Sequence, residues 1–463
     1  MRYPGRKMTG HSVGRLSIML LAGSAAFGQS PYLQALDPLS STPNGLRLYG
    51  VSVSAQYFTG SVPSGNGTNG IPFFYGYGGD QTLTGVVSAT LGWSRTIGKA
   101  RISVTYSPAY VRGFYFQDFS AYNHSFSISV TPSLGSLGSG KWRLSSGASG
   151  YCGDYRELLF APTPYGNVTG TAATFDEFAA AVLTGTTTNP ALATLISTPG
   201  TAGAESAYLF GARMCSLSAQ IGAAYQQSQR STFSVSVSGT RMQSLPSSGD
   251  SNGHYVSNAT SASATLGWSY MLSPRTTFGV SVSAGRTFSP YLDSYNSQGT
   301  ASIGRTMSRR WFLQGSVGVG HIMPTRQVVS IARNTSYVFS GSIGFKTQTQ
   351  TFLGSYSRSL ADMYGAGAEA TESSSGSWRW RKPGQPMTLY ATVGYMRLVG
   401  PGLPVTGGLQ EAGGVTRSLG RQFALSASYT HISLPAALAR VNSNLSAQGV
   451  MLTLSWSPLA RRQ

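Results

Sequence analysis

One hairpin unit recurs along this chain from Leu83 to Trp456, and it constrains the fold more tightly than any other feature. A strand ends in an aromatic residue, and a tight turn carrying Arg or Lys follows. A second strand then opens with apolar residues at every other position. Trp93 leads through Lys99 into Ile102, Val104 and Tyr106. Tyr225 leads through Arg230 into Phe233, Val235 and Val237, and Trp268 leads through Arg275 into Phe278, Val280 and Val282. Phe345 leads through Lys346 to Phe352, and Leu419 leads through Arg421 into Phe423 and Leu425. A long series of up-and-down hairpins with one apolar face has to hide that face. A closed barrel in a lipid bilayer does so and pairs every backbone polar group.

Side chains on a strand alternate between faces, so a period of two assigns the two sides of the sheet. Leu83, Val87, Ala89, Leu91 and Trp93 share one side; Thr84, Ser88, Thr90, Gly92 and Ser94 share the other. Val235 and Val237 alternate with Ser234, Ser236 and Ser238, and Val450, Leu452, Leu454 and Trp456 alternate with Met451, Thr453 and Ser455. The apolar set is expected to face lipid and the small polar set the lumen. A soluble sandwich would need a second packed sheet and would not gather Trp and Tyr beside the turns, as an interfacial girdle does.

Composition agrees. The chain has 463 residues, 58 of them Gly and 25 Tyr, and only 10% are charged, against roughly 25% in a typical soluble protein. Residues 1–28 have the pattern of a secretory signal: Arg2, Arg6, Lys7 and Arg15, then Leu16 to Leu21, then small residues to Gly28. Beyond them no apolar run approaches the roughly 20 residues of a membrane helix. The formal charge is +19, but the bases do not cluster along the chain and the chain is exported. Nucleic acid is therefore not expected as a partner, and anionic lipopolysaccharide or anionic solutes fit better.

Residues 29–45 read as an extended lead-in, 46–457 as one all-β transmembrane barrel, and 458–463 as a tail. The pattern predicts about 18 antiparallel strands, with 16 tolerable, joined by short periplasmic turns and longer extracellular loops. The predicted spans include 298–306, 311–322 and 411–418.

On strands rising from a short turn, the lipid-side position about ten residues later is often basic. Arg112, Arg241, Arg286, Arg358 and Arg397 fit, and His321 and His431 hold equivalent places. A charge on the lipid face costs roughly 2–4 kcal/mol at the midplane and almost nothing at the interface, which predicts these residues at the outer membrane boundary. They read either as a cationic collar on lipopolysaccharide phosphates or as snorkelling side chains.

The stretch at 153–214 breaks the rhythm and holds a large share of the chain's 14 acids. Thr174 can cap one helical turn through Leu183, and Pro190 can start another. Cys152 and Cys215, the only cysteines, flank this segment. In an oxidising periplasm a disulfide is the default reading, two unpaired thiols the other. No His lies near enough to suggest metal.

The signal, the turn-and-loop rhythm, the aromatic girdles and the acidic third loop together resemble a bacterial outer-membrane porin. The resemblance covers the architecture of the whole mature chain and rests on no diagnostic motif. It implies the outer membrane of a Gram-negative-type bacterium. It also implies outer-membrane lipids, lipopolysaccharide and the barrel-assembly machinery as partners, and a possible homo-oligomer. In porins the third loop folds into the lumen, which implies Asp154, Glu157, Asp176 and Glu177 as constriction acids. Porin constrictions oppose such acids with wall arginines; here the lumen-side bases are few, Arg101, Arg143 and Lys346. Barrels of this kind commonly end at an aromatic residue; here Ser457 to Gln463 follow Trp456.

Other chemistry is sparse. Gly65 to Gly70 has dinucleotide-loop spacing but no following helix pattern, and Gly135 to Lys141 approaches a phosphate loop with Trp142 in the hydroxyl position. No cofactor or zinc motif is evident. A hydrolase site would draw on His124 or His254 with Asp118 or Asp250. The expected function is a passive pore, without enzymatic activity, for small neutral or sugar-like solutes. The alternative is a non-conducting barrel serving polysaccharide secretion or envelope structure.

Overall fold

The computed structural model describes residues 45–60, 81–97, 100–113, 119–132, 142–154, 213–245, 258–288, 292–327, 334–362, 368–399, 406–420, 422–434 and 445–458. They form strands β1 (Gly45–Gly60), β2 (Gln81–Ile97), β3 (Ala100–Gly113), β4 (Phe119–Pro132), β5 (Trp142–Asp154) and β6 (Arg213–Gln226). Next come β7 (Ser231–Ser244), β8 (Ala259–Ser273), β9 (Thr276–Phe288), β10 (Leu292–Thr306), β11 (Trp311–Gln327) and β12 (Asn334–Lys346). The series ends with β13 (Gln350–Asp362), β14 (Ala368–Arg381), β15 (Met387–Val399), β16 (Thr406–Leu419), β17 (Phe423–Leu434) and β18 (Leu445–Trp456). The residues expected as signal, lead-in up to 44, and the tail beyond 458 lie outside the described residues.

Each strand pairs antiparallel with its chain neighbours, and β1 pairs with both β2 and β18. The 18-stranded sheet is therefore closed and has no free edge. The seam runs from Val51 opposite Trp456 to Gly60 opposite Ala447. It is fastened at its lower end by the Ser457 hydroxyl, which donates to the Tyr49 carbonyl at 2.8 Å. The register of β1 shifts between Leu48 and Gly50, which turns Tyr49 inward over Gly92. A Cβ at Gly92 would fall 1.6 Å from that ring, so only glycine fits there.

Alternation assigns the faces as the sequence predicts. Val53, Val87, Ile221, Val237, Leu266, Val282, Val317 and Leu452 lie outward and exposed, while Ser52, Ser94, Ser236, Ser357 and Thr453 are buried between them. An apolar exterior of this extent on a closed barrel requires lipid, because water would solvate it at great cost. The chain is an outer-membrane β-barrel.

The short turns are built locally. Hydroxyls of Ser228, Ser273, Ser308 and Thr347 accept the backbone N–H two residues on, closing each turn on itself. Gly384 and Gly420 adopt φ of 78° and 77°, a region that L side chains avoid. Directly beside these turns all seven tryptophans point outward, at Trp93, Trp142, Trp268, Trp311, Trp378, Trp380 and Trp456. Their partners include Tyr225, 4.8 Å from Trp142 between ring centres, and Phe345, 4.6 Å from Trp311.

Three strands reach five or six residues further than the pattern predicts. β10 begins at Leu292, β11 continues to Gln327 and β16 begins at Thr406. These extensions contain Asp293, Pro324, Gly407 and Gly408, which carry no alternating apolar signal. Pairing with already formed neighbours holds them, as in the ladder Leu292 to Gln327 with its bulge at Asp293 and Ser294.

Candidate functional site

The inward face is the candidate site. Its wall is made of hydroxyl pairs that bridge adjacent strands. Ser52 bonds Ser88 at 2.7 Å across β1 and β2, Thr105 bonds Ser127 at 2.6 Å across β3 and β4, and Ser149 bonds Ser218 at 2.6 Å across β5 and β6. The series continues with Ser238 and Ser263, Ser281 and Thr300, Ser316 and Ser340, and Ser357 and Ser373, each at 2.6–2.8 Å. The pattern follows from register: alternating serine strands in antiparallel pairing place hydroxyls directly opposite each other. Each pair keeps one donor and further acceptor capacity beyond the shared bond.

Two features interrupt this neutral wall toward the short-turn end. Phe312 and Leu353 project inward, fully buried, across Gly344 between them. Arg47, Lys346, Arg379 and Arg381 also hold inward positions. Of these the sequence reading identified only Lys346. Arg379 and Arg381 could have been found from the alternation with outward Trp378 and Trp380. Arg101 and Arg143 lie in β3 and β5, in register with Thr131 and Ala224. Tyr390, paired with Arg379, lies across Gly414, where a Cβ would fall 2.6 Å from its hydroxyl.

Of the acids expected at a constriction, Asp154 is the last residue of β5, in register with Arg213. Glu157, Asp176 and Glu177, and the two helical turns expected around them, lie outside the described residues. Cys152 and Cys215 are direct partners on β5 and β6 and form a disulfide, with Cα atoms 4.1 Å apart. The bridge ties the two ends of the 153–214 segment together.

The five collar arginines all lie on the outward face, in the halves of their strands nearer the long loops. Trp311 and His321 are ten residues apart on β11; at about 3.3 Å per residue and a tilt of about 40° that is roughly 25 Å, the height of an apolar band. The belt is mixed in sign, which the sequence reading missed. Arg358 pairs with Glu372 and stacks 4.5 Å above the Tyr337 ring, and Arg397 is the register partner of Glu372. Arg286 lies 4.1 Å from the Phe288 ring centre and 4.8 Å from that of Tyr295. Glu411 faces His431, with 3.9 Å between Oε2 and Nδ1. Such stacking keeps a guanidinium stem on the lipid face while its charge is satisfied.

His124 also faces outward, where its Nδ1 and the Tyr106 hydroxyl are 2.8 Å apart. This is a rim pair on the lipid side and is not brought together with a lumen nucleophile. His254, Asp118 and Asp250 lie outside the described residues.

Closure, an apolar exterior and a hydroxylated interior make this a porin-like outer-membrane barrel. No protein-family model matches the chain, and no curated protein matches it. Solved structures to which it is similar include three from Pseudomonas aeruginosa. For OpdO the identity is 11% and the TM-score 0.42, over 89% of this chain and 96% of that one. For OccK5 (OpdH) the values are 7% and 0.43, over 88% and 97%. For the outer-membrane protein OpdK they are 8% and 0.44, over 89% and 99%.

Proposed function

We propose that this barrel is a passive diffusion pore for small neutral or sugar-like solutes, narrowed by the acidic third loop. The observation that carries the reading is the wall of paired Ser and Thr hydroxyls spread over strands β1 to β14. Such a wall exchanges hydrogen bonds with solute hydroxyls as readily as water does, and it fixes no charge in the middle of the path. The Cys152–Cys215 bridge supports a constriction, because a segment tied at its base has less freedom to leave the lumen. The collar arginines are proposed to meet lipopolysaccharide phosphates.

A non-conducting barrel serving secretion or envelope structure is the second reading. The fully buried Phe312 and Leu353 on the inward face favour it, since they fill wall space that an open pore would leave wet.

Single-channel recording of the folded chain in a planar bilayer separates the two. Stable open steps, with sugar-driven swelling of proteoliposomes, support the pore. A folded, heat-modifiable barrel without conductance would sink it.

A further inference from the structure

Most of the described bases outside the collar, scattered along the sequence, gather in space at the short-turn end of the barrel. Arg230, Arg275, Arg309, Arg310 and Lys382 sit exposed in short turns. Arg95, Arg305 and Arg417 are exposed on outward positions close to the strand ends beside those turns. Every acid among the described residues (Asp154, Asp293, Asp362, Glu369, Glu372 and Glu411) lies in the half of its strand nearer the long loops. The short-turn edge thus carries positive charge with no acid to offset it among the described residues.

The same edge carries all seven outward tryptophans, together with exposed Leu46, Met307 and Leu419. Bases immediately below an apolar and aromatic belt are placed at headgroup height, within reach of phosphate. We propose that this edge binds the anionic phospholipid headgroups of the periplasmic leaflet, through Arg95, Arg275, Arg305, Arg310, Lys382 and Arg417. An acidic soluble partner would need the charge alone. The tryptophan belt beside it favours lipid, because indoles partition into the interface and not into a polar docking face.

The tryptophans make the test direct, because all of them report on this edge. The folded full chain is placed in phosphatidylcholine bilayers, and tryptophan fluorescence is titrated with brominated phosphatidylglycerol or brominated phosphatidylcholine. The expected result is quenching by the anionic lipid at roughly five-fold lower mole fraction, the ratio that one base near a charged headgroup supplies. High salt should remove the preference, and so should replacing the six bases by Gln. Replacing Arg112 and Arg241 at the other end should leave it intact. If the six-fold variant does not fold, the salt titration of the native chain decides. Equal quenching by both lipids overturns the proposal, as does a preference that survives salt or the six substitutions. Binding of soluble polyglutamate in neutral bilayers without any lipid preference also overturns it and assigns the edge to an acidic protein.

Discussion

Cys152 and Cys215 face each other across β5 and β6 and are joined by a disulfide, 63 residues apart in the chain and 4.1 Å apart at Cα. The bridge lies at the long-loop end of a ladder that runs down to Trp142 opposite Tyr225. Closing a loop of that length contributes roughly 4 kcal/mol in the chain-entropy treatment. Replacing both cysteines by Ser should therefore leave a barrel that still assembles, because the ladder below holds the register. Its urea unfolding free energy should fall by no more than about 4 kcal/mol. In planar bilayers the variant, or the reduced native chain, should show noisier open steps.

Gly344 is the floor under Phe312. A Cβ there would fall 2.0 Å from the ring, and the ring is fully buried. Gly344→Ala should destabilise the barrel by about 1–3 kcal/mol, the cost of overpacking. Phe312→Ala alone should cost about 3–5 kcal/mol. In the double variant the two losses should not add, because removing the ring removes the clash. Strict additivity in the unfolding free energies would show that the two residues do not meet.

Glu372 compensates arginine on the lipid face. It pairs with Arg358, and both side chains are largely buried, at 20% and 13% exposure. Glu372→Gln should destabilise the folded barrel by about 1 kcal/mol or less, the cost of an uncompensated arginine near the membrane interface. Adding Arg358→Gln should restore most of the loss. The readout is the heat-modifiability midpoint of the three variants compared with the native chain.

Neighbouring residues on β7 should respond oppositely to charge. Ser238 faces the lumen and bonds Ser263, whereas Val237 is outward and 54% exposed. Ser238→Glu should be tolerated and should shift the reversal potential toward cations, since it puts a fixed negative charge on the conduction path. Val237→Arg should block assembly or cost roughly 2–4 kcal/mol. Equal tolerance of both substitutions would contradict the face assignment.

Much of this barrel was legible in the order of residues alone. Strand number, the two faces and the aromatic girdle follow from a period of two, which any local stretch such as Val235 to Ser238 displays by itself. Turn chemistry is equally local, as Ser228 and Gly384 show. The tertiary structure decided what depends on register between strands distant in sequence. Glu372 enters the arginine belt because the β13 and β14 ladder sets it opposite Arg358, and the next ladder sets it opposite Arg397. Phe312 finds Gly344 for the same reason. The bases of the short turns and adjoining strand ends, dispersed along the chain, share one edge because every second connection returns the strand to the same end. Closure lies furthest from local reach: Ser457 meets Tyr49 across 408 residues. No neighbouring residue announces that contact; it exists because an apolar sheet in lipid has no tolerable edge, so its first strand must pair with its last.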